Sequence, residues 1–559
     1  MISGAELVVQ ALIQEKVEVC FAYPGGQAID LFDALYQRDE FRVVLPRHEQ
    51  GLIHGADGYA RSTGKVGVCL VTSGPGATNL ITGIATAGYD AAPLVCITGQ
   101  VATHLIGKDA FQEVDMVGLC RPIAKYAVTV KRREDLGVIL KKAFIIAQTG
   151  KPGVVVVDIP KDIQQALGSD IYPEEVTIRG YQPQLEDSAE KIQAAADLLN
   201  RAQRPVILVG GGIHRGKAYK ELLALLEKSR MPVVTTIMGK GALSSDHKLY
   251  IGNVGIHGSF AANQAIMKSD VLLAIGTRLS DRVTGKSDTF CPTTKLIHLD
   301  IDPAVIGKNV AAELSIVGDA KRILPLLTEK IDFRSCENWL QELQTKEKAH
   351  PIRMPEAGLS PEKIIRKINE LFSNAIVVTD VGQNQLWTTQ FLQVSKSMQL
   401  LTSGGLGTMG FGFPAALGAK LGNPEKKVLV ITGDGGFQMN LQELATVVME
   451  NIPVIICIFN NGCLGNVRQW QEMFYKERYS YTNLLPQNSS YVPDFIALAQ
   501  SYGIEGIRVA EEHQIEEALN QGLIKDKPLV IEFVIAREHN VLPIVPPGQS
   551  LKEMVHYDE

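Results

Sequence analysis

The sequence is poor in the features that mark specialised proteins. It has no dense run of Lys or Arg, and its formal net charge is −6 with a pI near 6.1, which argues against a dedicated nucleic-acid surface. No apolar stretch approaches the roughly 20 residues of a membrane span. The N-terminus, MISGAELVVQALIQEKVEVC, lacks a basic segment followed by an apolar core, so no signal peptide is expected. Eight cysteines are scattered without a CxxC pair or zinc-like spacing, and most fall in apolar, strand-like runs. They read as buried thiols of a reducing compartment. A cytoplasmic enzyme is the expectation, with no membrane and no nucleic acid among its partners.

At 559 residues the chain is too long for one core, and two to four domains are expected. Short Val/Ile/Leu runs alternate with longer helical patterns almost throughout, the signature of parallel sheets covered by helices. Polar stretches near 167–190 and 332–362 interrupt this rhythm. They predict three doubly wound α/β domains, at 1–166, 186–335 and 360–535, with a tail at 536–559. The first and third blocks share a grammar. VCLVTSGPGATNLITGIATAGYDAAPLVCITGQ and VLVITGDGGFQMNLQELATVVMENIPVIICIFNN each read strand, Thr with Gly-x-Gly, helix, Pro, strand, polar end. Internal repetition on one scaffold is the better reading.

Only the third block places Asp434 at the end of one strand and Asn461 at the end of the next. Ligands of open parallel sheets bind beyond the carboxyl ends of the strands. An Asp oxygen, an Asn carbonyl and a main-chain carbonyl suit a hard ion such as Mg²⁺, completed by phosphate and water. Gly433, Gly435 and Gly436 leave N–H groups free to approach phosphate, and the following helix offers its positive end.

GDG, about 27 residues, then NN resembles the thiamine-diphosphate signature. Over essentially its whole length the chain resembles the acetohydroxyacid (acetolactate) synthase family. The resemblance runs through FAYPGG (21–26), RHEQGLIHGADGYARSTGKVGVCLVTSGPGATNL (47–80), DAFQE (109–113), DIPKD (158–162), DRVTGK (281–286), SGGLGTMGFG (403–412), RQWQEMFY (468–475) and VPPG (545–548). It implies three domains, which bind the thiamine pyrimidine, FAD and the diphosphate with Mg²⁺. It also implies condensation of pyruvate with a second pyruvate or with 2-oxobutyrate, with loss of CO₂, giving 2-acetolactate or 2-aceto-2-hydroxybutyrate. This is the first common step of branched-chain amino-acid synthesis.

The resemblance carries roles onto particular residues. Glu49 would protonate the cofactor's pyrimidine, with Pro24 beside it and Gly26 and Gln112 near the reacting atoms. Gly382, Gln383 and Asn384 would reach the diphosphate, Gly407 the pyrimidine edge, and Met409 would prop the bent cofactor. Asp434, Asn461 and Cys463 would hold the metal, and Leu464 and Gly465 would complete the cradle. Phe111, Lys161, Arg282, Val467 and Trp470 would contact substrate, Arg282 at the acceptor's carboxylate and Trp470 at its side chain. FAD would lie along Lys151, Gly211, Gly212, Thr235, Met238, Gly255, His257, Gly258, Gly276, Arg278, Asp300, Ile301 and Asp319. Glu49 and the metal pair lie in different blocks. In the family those blocks come from different subunits, so a homodimer or tetramer is implied, with a small regulatory subunit as a further partner.

The sequence departs from the family pattern in places. Gln27 stands where a small residue follows the paired glycines. Asn384 replaces a His, Asn466 an apolar residue near the reacting carbon, Leu279-Ser280 a Phe-Asp pair, and Lys151 an Arg. Two other readings compete: a flavin-using pyruvate oxidase with the same three-block layout, and a non-catalytic homologue that serves as an assembly subunit.

Overall fold

The computed structural model describes residues 1–183, 188–333, 336–355, 358–395, 398–485 and 493–557. The expected boundaries at 186 and 335, and the last residue, 559, lie outside these.

Eighteen strands among the described residues form three parallel sheets of six. The first contains β1 (Val19–Tyr23), β2 (Arg42–Val44), β3 (Gly67–Val71), β4 (Leu94–Gln100), β5 (Tyr126–Thr129) and β6 (Val154–Pro160), in the order β2-β1-β3-β4-β6-β5. The second contains β7 (Pro205–Val209), β8 (Val233–Thr235), β9 (Tyr250–Asn253), β10 (Val271–Ile275), β11 (Lys295–Asp300) and β12 (Leu314–Val317), in the order β12-β11-β10-β7-β8-β9. The third contains β13 (Ile376–Thr379), β14 (Leu400–Leu401), β15 (Val428–Gly433), β16 (Ile455–Asn460), β17 (Glu505–Val509) and β18 (Leu529–Val534), in the order β14-β13-β15-β16-β18-β17. Counted from its own first strand, the third sheet repeats the order of the first, so the two blocks share one topology. The middle sheet instead has the doubly wound dinucleotide-binding order, with its switch point between β7 and β10.

The central strands run apolar over successive positions because both faces of each sheet are covered. In the first sheet Val68, Leu70, Val95 and Ile97 face one layer of helices, while Cys69, Val71, Leu94 and Cys96 face the other. In the third, Leu429, Ile431 and Cys457 oppose Val428, Val430 and Ile456. All eight cysteines are buried and free, in line with the reading of them as core thiols. No helix among the described residues is long and apolar enough to cross a membrane.

The first and third blocks are locked together by two crossing helices. The helix Glu49–Thr63 begins on His48, whose ring nitrogen accepts the Gln50 N–H at 3.0 Å, and ends on Gly64 at φ +71°. Its partner is the helix Gly412–Gly422. At the crossing Gly58 meets the main chain of Ala415, and Gly418 meets the carbonyl of Gly55, with no room for a Cβ on either glycine. Beside the crossing, buried Arg61 binds Asp57 (2.6 and 2.7 Å), Asp90 (2.9 Å) and the Thr402 carbonyl (2.8 Å). A buried guanidinium is tolerated there because its donors are matched by two carboxylates. After β18 the tail leaves the third sheet and lies on the middle block, where the Val545 N–H donates to the Ile256 carbonyl at 2.7 Å.

Gly418→Ala is therefore expected to destabilise the fold, because a methyl group would have to displace main chain. Overpacking of this kind costs about 1–3 kcal/mol. Thermal denaturation checks it, and an unchanged Tm would mean that the helices separate freely.

Candidate active site

The constellation in the third block grows from neighbouring strand ends. β15 and β16 pair in register, Gly433 opposite Phe459, and each then turns polar. Asp434 opens a short helical turn and is only 3% exposed. Burial pushes its carboxyl up to about 7, although main-chain N–H groups around Gly435 and Gly462 pull the other way. The two asparagines after β16 divide the work. Asn460 turns inward, its amide donating to buried Glu532 at 2.7 Å and its oxygen accepting the Gly462 N–H at 3.1 Å. Asn461 faces the ligand side, donating to Gln383 at 3.2 Å and accepting the Cys463 N–H at 3.2 Å.

These residues line a small cavity of about 70 Å³. Gly382, Gln383, Asn384 and Met409 form one side of it, and Gly433, Asp434, Gly435 and Gly436 another. Asn461, Cys463, Leu464, Gly465 and Val467 close it. Gly382 has φ +129°, which only glycine adopts without strain, and it lets the chain turn from β13 into the next helix. The Asn384 side-chain oxygen is buried without a hydrogen-bond partner. Asp380, which sequence reasoning did not single out, organises this wall. It is fully buried, and its carboxylate accepts N–H groups from Val381 (2.8 Å), Gly410 (3.0 Å) and Gly412 (2.9 Å), which holds the Met409 loop to the end of β13. The only signal for it was a carboxylate directly after an apolar run, the same signal that marked Asp434.

A second cavity, about 720 Å³, opens at the switch point of the middle sheet. Gly211 and Gly212 follow β7 and Gly276 and Arg278 follow β10, so both strand ends feed it. Lys151, Met238, His257, Gly258, Asp300, Ile301 and Asp319 also line it. Thr235 and Gly255 do not. Thr235 is fully buried and donates to Asn253 at 2.6 Å, and Gly255 lies against the Arg282 main chain. Lys151 is held by Asp302 at 2.9 Å. Burial pushes the Asp300 carboxyl up to about 6 and the His257 ring down to about 4. Leu279 is buried off the cleft wall, whereas Ser280 lines it.

Arg282 and Trp470 line the same cleft, with the guanidinium 6.0 Å from the centre of the indole. Gly407 lines it too, rather than the small cavity. Val381, Gly382 and Asn466 lie in the walls of both cavities, so the large cleft ends where the small one begins.

The first-block residues cluster separately at the carboxyl edge of their own sheet. Glu49 starts its helix and accepts the Asn79 amide N–H at 2.9 Å. Lys161, after β6, donates to the Gly26 carbonyl at 2.8 Å and pairs with Asp30 at 3.4 Å. Gln27, next to Gly26, donates its N–H to Thr72 at 3.2 Å and its carbonyl accepts from Gln164 at 2.8 Å. Gln112, at φ +61°, packs on Gly74, and Phe111 is 83% exposed. Neither Pro24, Gly26, Glu49, Phe111, Gln112 nor Lys161 lines either cavity of the chain. One chain thus brings together the diphosphate-type and FAD-type residues but holds the Glu49 group apart from them.

Three family models match successive parts of the chain. Residues 2–119 match the family model of the N-terminal TPP binding domain of thiamine pyrophosphate enzymes, residues 192–327 its central domain, and residues 380–533 its C-terminal TPP binding domain. Fold and site together therefore define a thiamine pyrophosphate enzyme. The chain is 45% identical to the probable acetolactate synthase large subunit of Methanococcus aeolicus and 46% identical to that of Methanocaldococcus jannaschii, in each case over 99% of this chain and 95% of the relative. It is 44% identical to the acetolactate synthase large subunit of Corynebacterium glutamicum, over 98% of this chain and 89% of that protein. The chain belongs to the acetolactate synthase large-subunit family.

A buried carboxylate with a raised pKa is a burden on the cofactor-free protein. Burial raises the Asp434 carboxyl from an ordinary value near 3.8 to about 7, so the stability this group contributes is full below about pH 4, falls across pH 4–7 and is lost above. The shift corresponds to about 4 kcal/mol. Asp434→Asn is expected to raise the Tm of the cofactor-free protein at pH 8. Equal Tm values at pH 8 would show that the carboxylate is not destabilising.

Proposed function

We propose that the chain catalyses acetolactate synthesis. It would condense pyruvate, after loss of CO₂, with a second pyruvate or with 2-oxobutyrate. The observation that carries this reading is the wall shared by the two cavities. It sets the cavity lined by Asp434, Asn461 and the glycines directly beside a cleft that presents a guanidinium and an indole, a pair suited to the carboxylate and side chain of a second 2-oxo acid. The same pair favours the synthase over a flavin-using oxidase. The three units would run over 1–166, 186–335 and 360–535, with the tail at 536–559, and the free, buried cysteines fit a reducing, cytoplasmic setting.

The residues fit the groups the reading needs. Mg²⁺ would be held by Asp434, Asn461 and the Cys463 main-chain carbonyl, and a cation there would offset the desolvation of the carboxylate. The Asn384 side-chain NH₂, Gln383 and the glycine N–H groups around Gly435 would hold the diphosphate. FAD would occupy the middle cleft, whose glycines follow two strands at a switch point. Thiamine diphosphate supplies an electron sink for the carbon that loses CO₂. Glu49 would hold a proton at the pyrimidine nitrogen, Met409 and Gly407 would fix the pyrimidine's angle, and Arg282 would bind the carboxylate common to both acceptors. Gly26, Gln112, Phe111 and Lys161 would close the site around the donor acid.

Within one chain the Glu49 group and the Asp434 group do not meet, so the reading requires at least a homodimer with active sites between subunits. The relatives are named large subunits, which supports a small regulatory partner as well.

Glu49→Gln is expected to fold and to retain cofactor but to lose about 10²–10⁴-fold in rate, the usual contribution of a positioned acid–base group. Hydrogen–deuterium exchange at the cofactor's C2 position, followed by NMR, is the direct measurement, and exchange at the parent's rate would remove Glu49 from the mechanism.

The acceptor residues should separate in competition assays with both acids present. Trp470→Leu should erode the preference for 2-oxobutyrate over pyruvate, because the indole packs on the extra methylene. One methylene is worth about 1–3 kcal/mol, or about 10–200-fold in relative kcat/KM. Arg282→Ala should weaken both acceptors together. An unchanged product ratio in Trp470→Leu would refute the pocket assignment.

A further inference from the structure

The segment that follows the Asp434 turn carries a carboxylate without a role in the chemistry above. Glu443 is fully buried in the third block, yet its hydrogen-bond donors come largely from the first. Oε1 accepts the main-chain N–H groups of Arg47 and His48, each at 3.1 Å. Oε2 accepts the Arg47 N–H at 3.1 Å and the Thr446 hydroxyl at 2.6 Å. Gly51, in the first turn of the same helix, lies so close that a Cβ there would fall 2.5 Å from Oε1. Burial pushes the Glu443 carboxyl up, against the smaller opposing pull of these hydrogen bonds.

The two main-chain donors immediately precede Glu49. His48 is the cap of the Glu49 helix, but its side chain satisfies only the Gln50 N–H. Glu443 takes the N–H of the cap itself and of the residue before it, and it places negative charge at the helix's positive end. The same short segment also grips the Met409 loop, because Asn440 donates to the Gly410 carbonyl at 2.7 Å. Residues 440–443 thus touch both the loop that carries Met409 and the loop that presents Glu49.

We propose that Glu443 is a positioning residue for Glu49: it fixes, from another block, the main chain from which the Glu49 carboxylate is presented to the pyrimidine. The proposal rests on the reading that Glu49 acts on the cofactor. A carboxylate suits the task because both oxygens accept and neither donates. A glutamine in its place would turn an NH₂ group toward main-chain donors. A misplacement of about 1 Å can cost on the order of 10²-fold in rate.

The test compares the parent, Glu443→Gln and Glu49→Gln, each as the full chain at saturating thiamine diphosphate and Mg²⁺. C2 hydrogen–deuterium exchange is read by NMR, cofactor Kd by titration, and amide exchange of the peptide spanning 45–50 by mass spectrometry. Glu443→Gln is expected to slow C2 exchange by about 10–100-fold with Kd little changed, and to speed amide exchange in the 45–50 peptide. Parent-like C2 exchange in Glu443→Gln, with slow exchange in Glu49→Gln, would overturn the proposal and leave the Glu49 reading intact. Parent-like exchange in Glu49→Gln would overturn both. Should Glu443→Gln fail to fold, Thr446→Val keeps the carboxylate and removes one of its hydrogen bonds. A smaller slowing in that variant supports the proposal, and none overturns it.

Discussion

The contact on which the rest of the structure depends is the crossing of the helices Glu49–Thr63 and Gly412–Gly422. Small residues let the two backbones meet at Gly58 and Ala415 and at Gly55 and Gly418. The buried Arg61 cluster then ties the crossing to Asp90 and Thr402. A joint made of backbone contact and paired charge has little freedom to slide. It fixes the first sheet relative to the third, and so fixes where the carboxyl edges of the two sheets point. The separation of Glu49 from Asp434 within one chain follows from that joint rather than from any property of the site residues.

At the third sheet the governing quantity is desolvation. A parallel sheet buried on both faces leaves many of its polar groups near the strand ends, and Asp380 and Asp434 are both buried there, 0% and 3% exposed. Asp380 shows the alternative fate of a buried carboxylate, since three main-chain N–H groups satisfy it and it becomes scaffold. Burial raises the Asp434 carboxyl to about 7 against the pull of main-chain N–H groups, and it raises the Asp380 carboxyl as well. Two buried aspartates at neighbouring strand ends therefore differ in what they face: Asp380 accepts the main-chain N–H groups that hold the Met409 loop, whereas Asp434 lines the small cavity. Asn460 and Asn461 divide the same way, one satisfied by Glu532 inside the fold and the other facing the cavity.

Much of this was legible in the sequence for a physical reason. Uninterrupted apolar runs ending in Gly, Asp or Asn are what a doubly covered parallel sheet produces, so the fold class and the Asp434–Asn461 pair could be read directly. The matched spacing of the first and third blocks corresponds to identical strand orders. Residues whose role is set by long-range packing were not legible. Asp380, Glu443 and Arg61 sit in ordinary helical or strand-end contexts, and each has partners distant in the chain, 29 to 396 residues away. The middle block gave the weakest signal. Of its expected residues Thr235 and Gly255 fall behind the cleft wall, because a glycine or a threonine in a nucleotide-type pattern serves backbone packing as readily as ligand contact.

The departures from the family pattern now divide by position. Leu279 is buried off the cleft wall, so the change there alters packing beneath the cleft, and Ser280 is the half of the pair that faces it. Lys151 keeps a cation on the cleft wall, but Asp302 already holds its single ammonium point. An Arg would have offered a fork with donors to spare. Asn384 and Asn466 are more consequential. Both lie in the wall of the small cavity, both have side-chain oxygens buried without a partner, and Asn466 also faces the large cleft. An unpartnered buried amide costs about 1–3 kcal/mol until a ligand or water satisfies it. Placing two of them where the cavities meet gives this chain a junction more polar than an apolar residue at 466 would give it. Asn466, in the walls of both cavities, places its unpartnered oxygen at that junction.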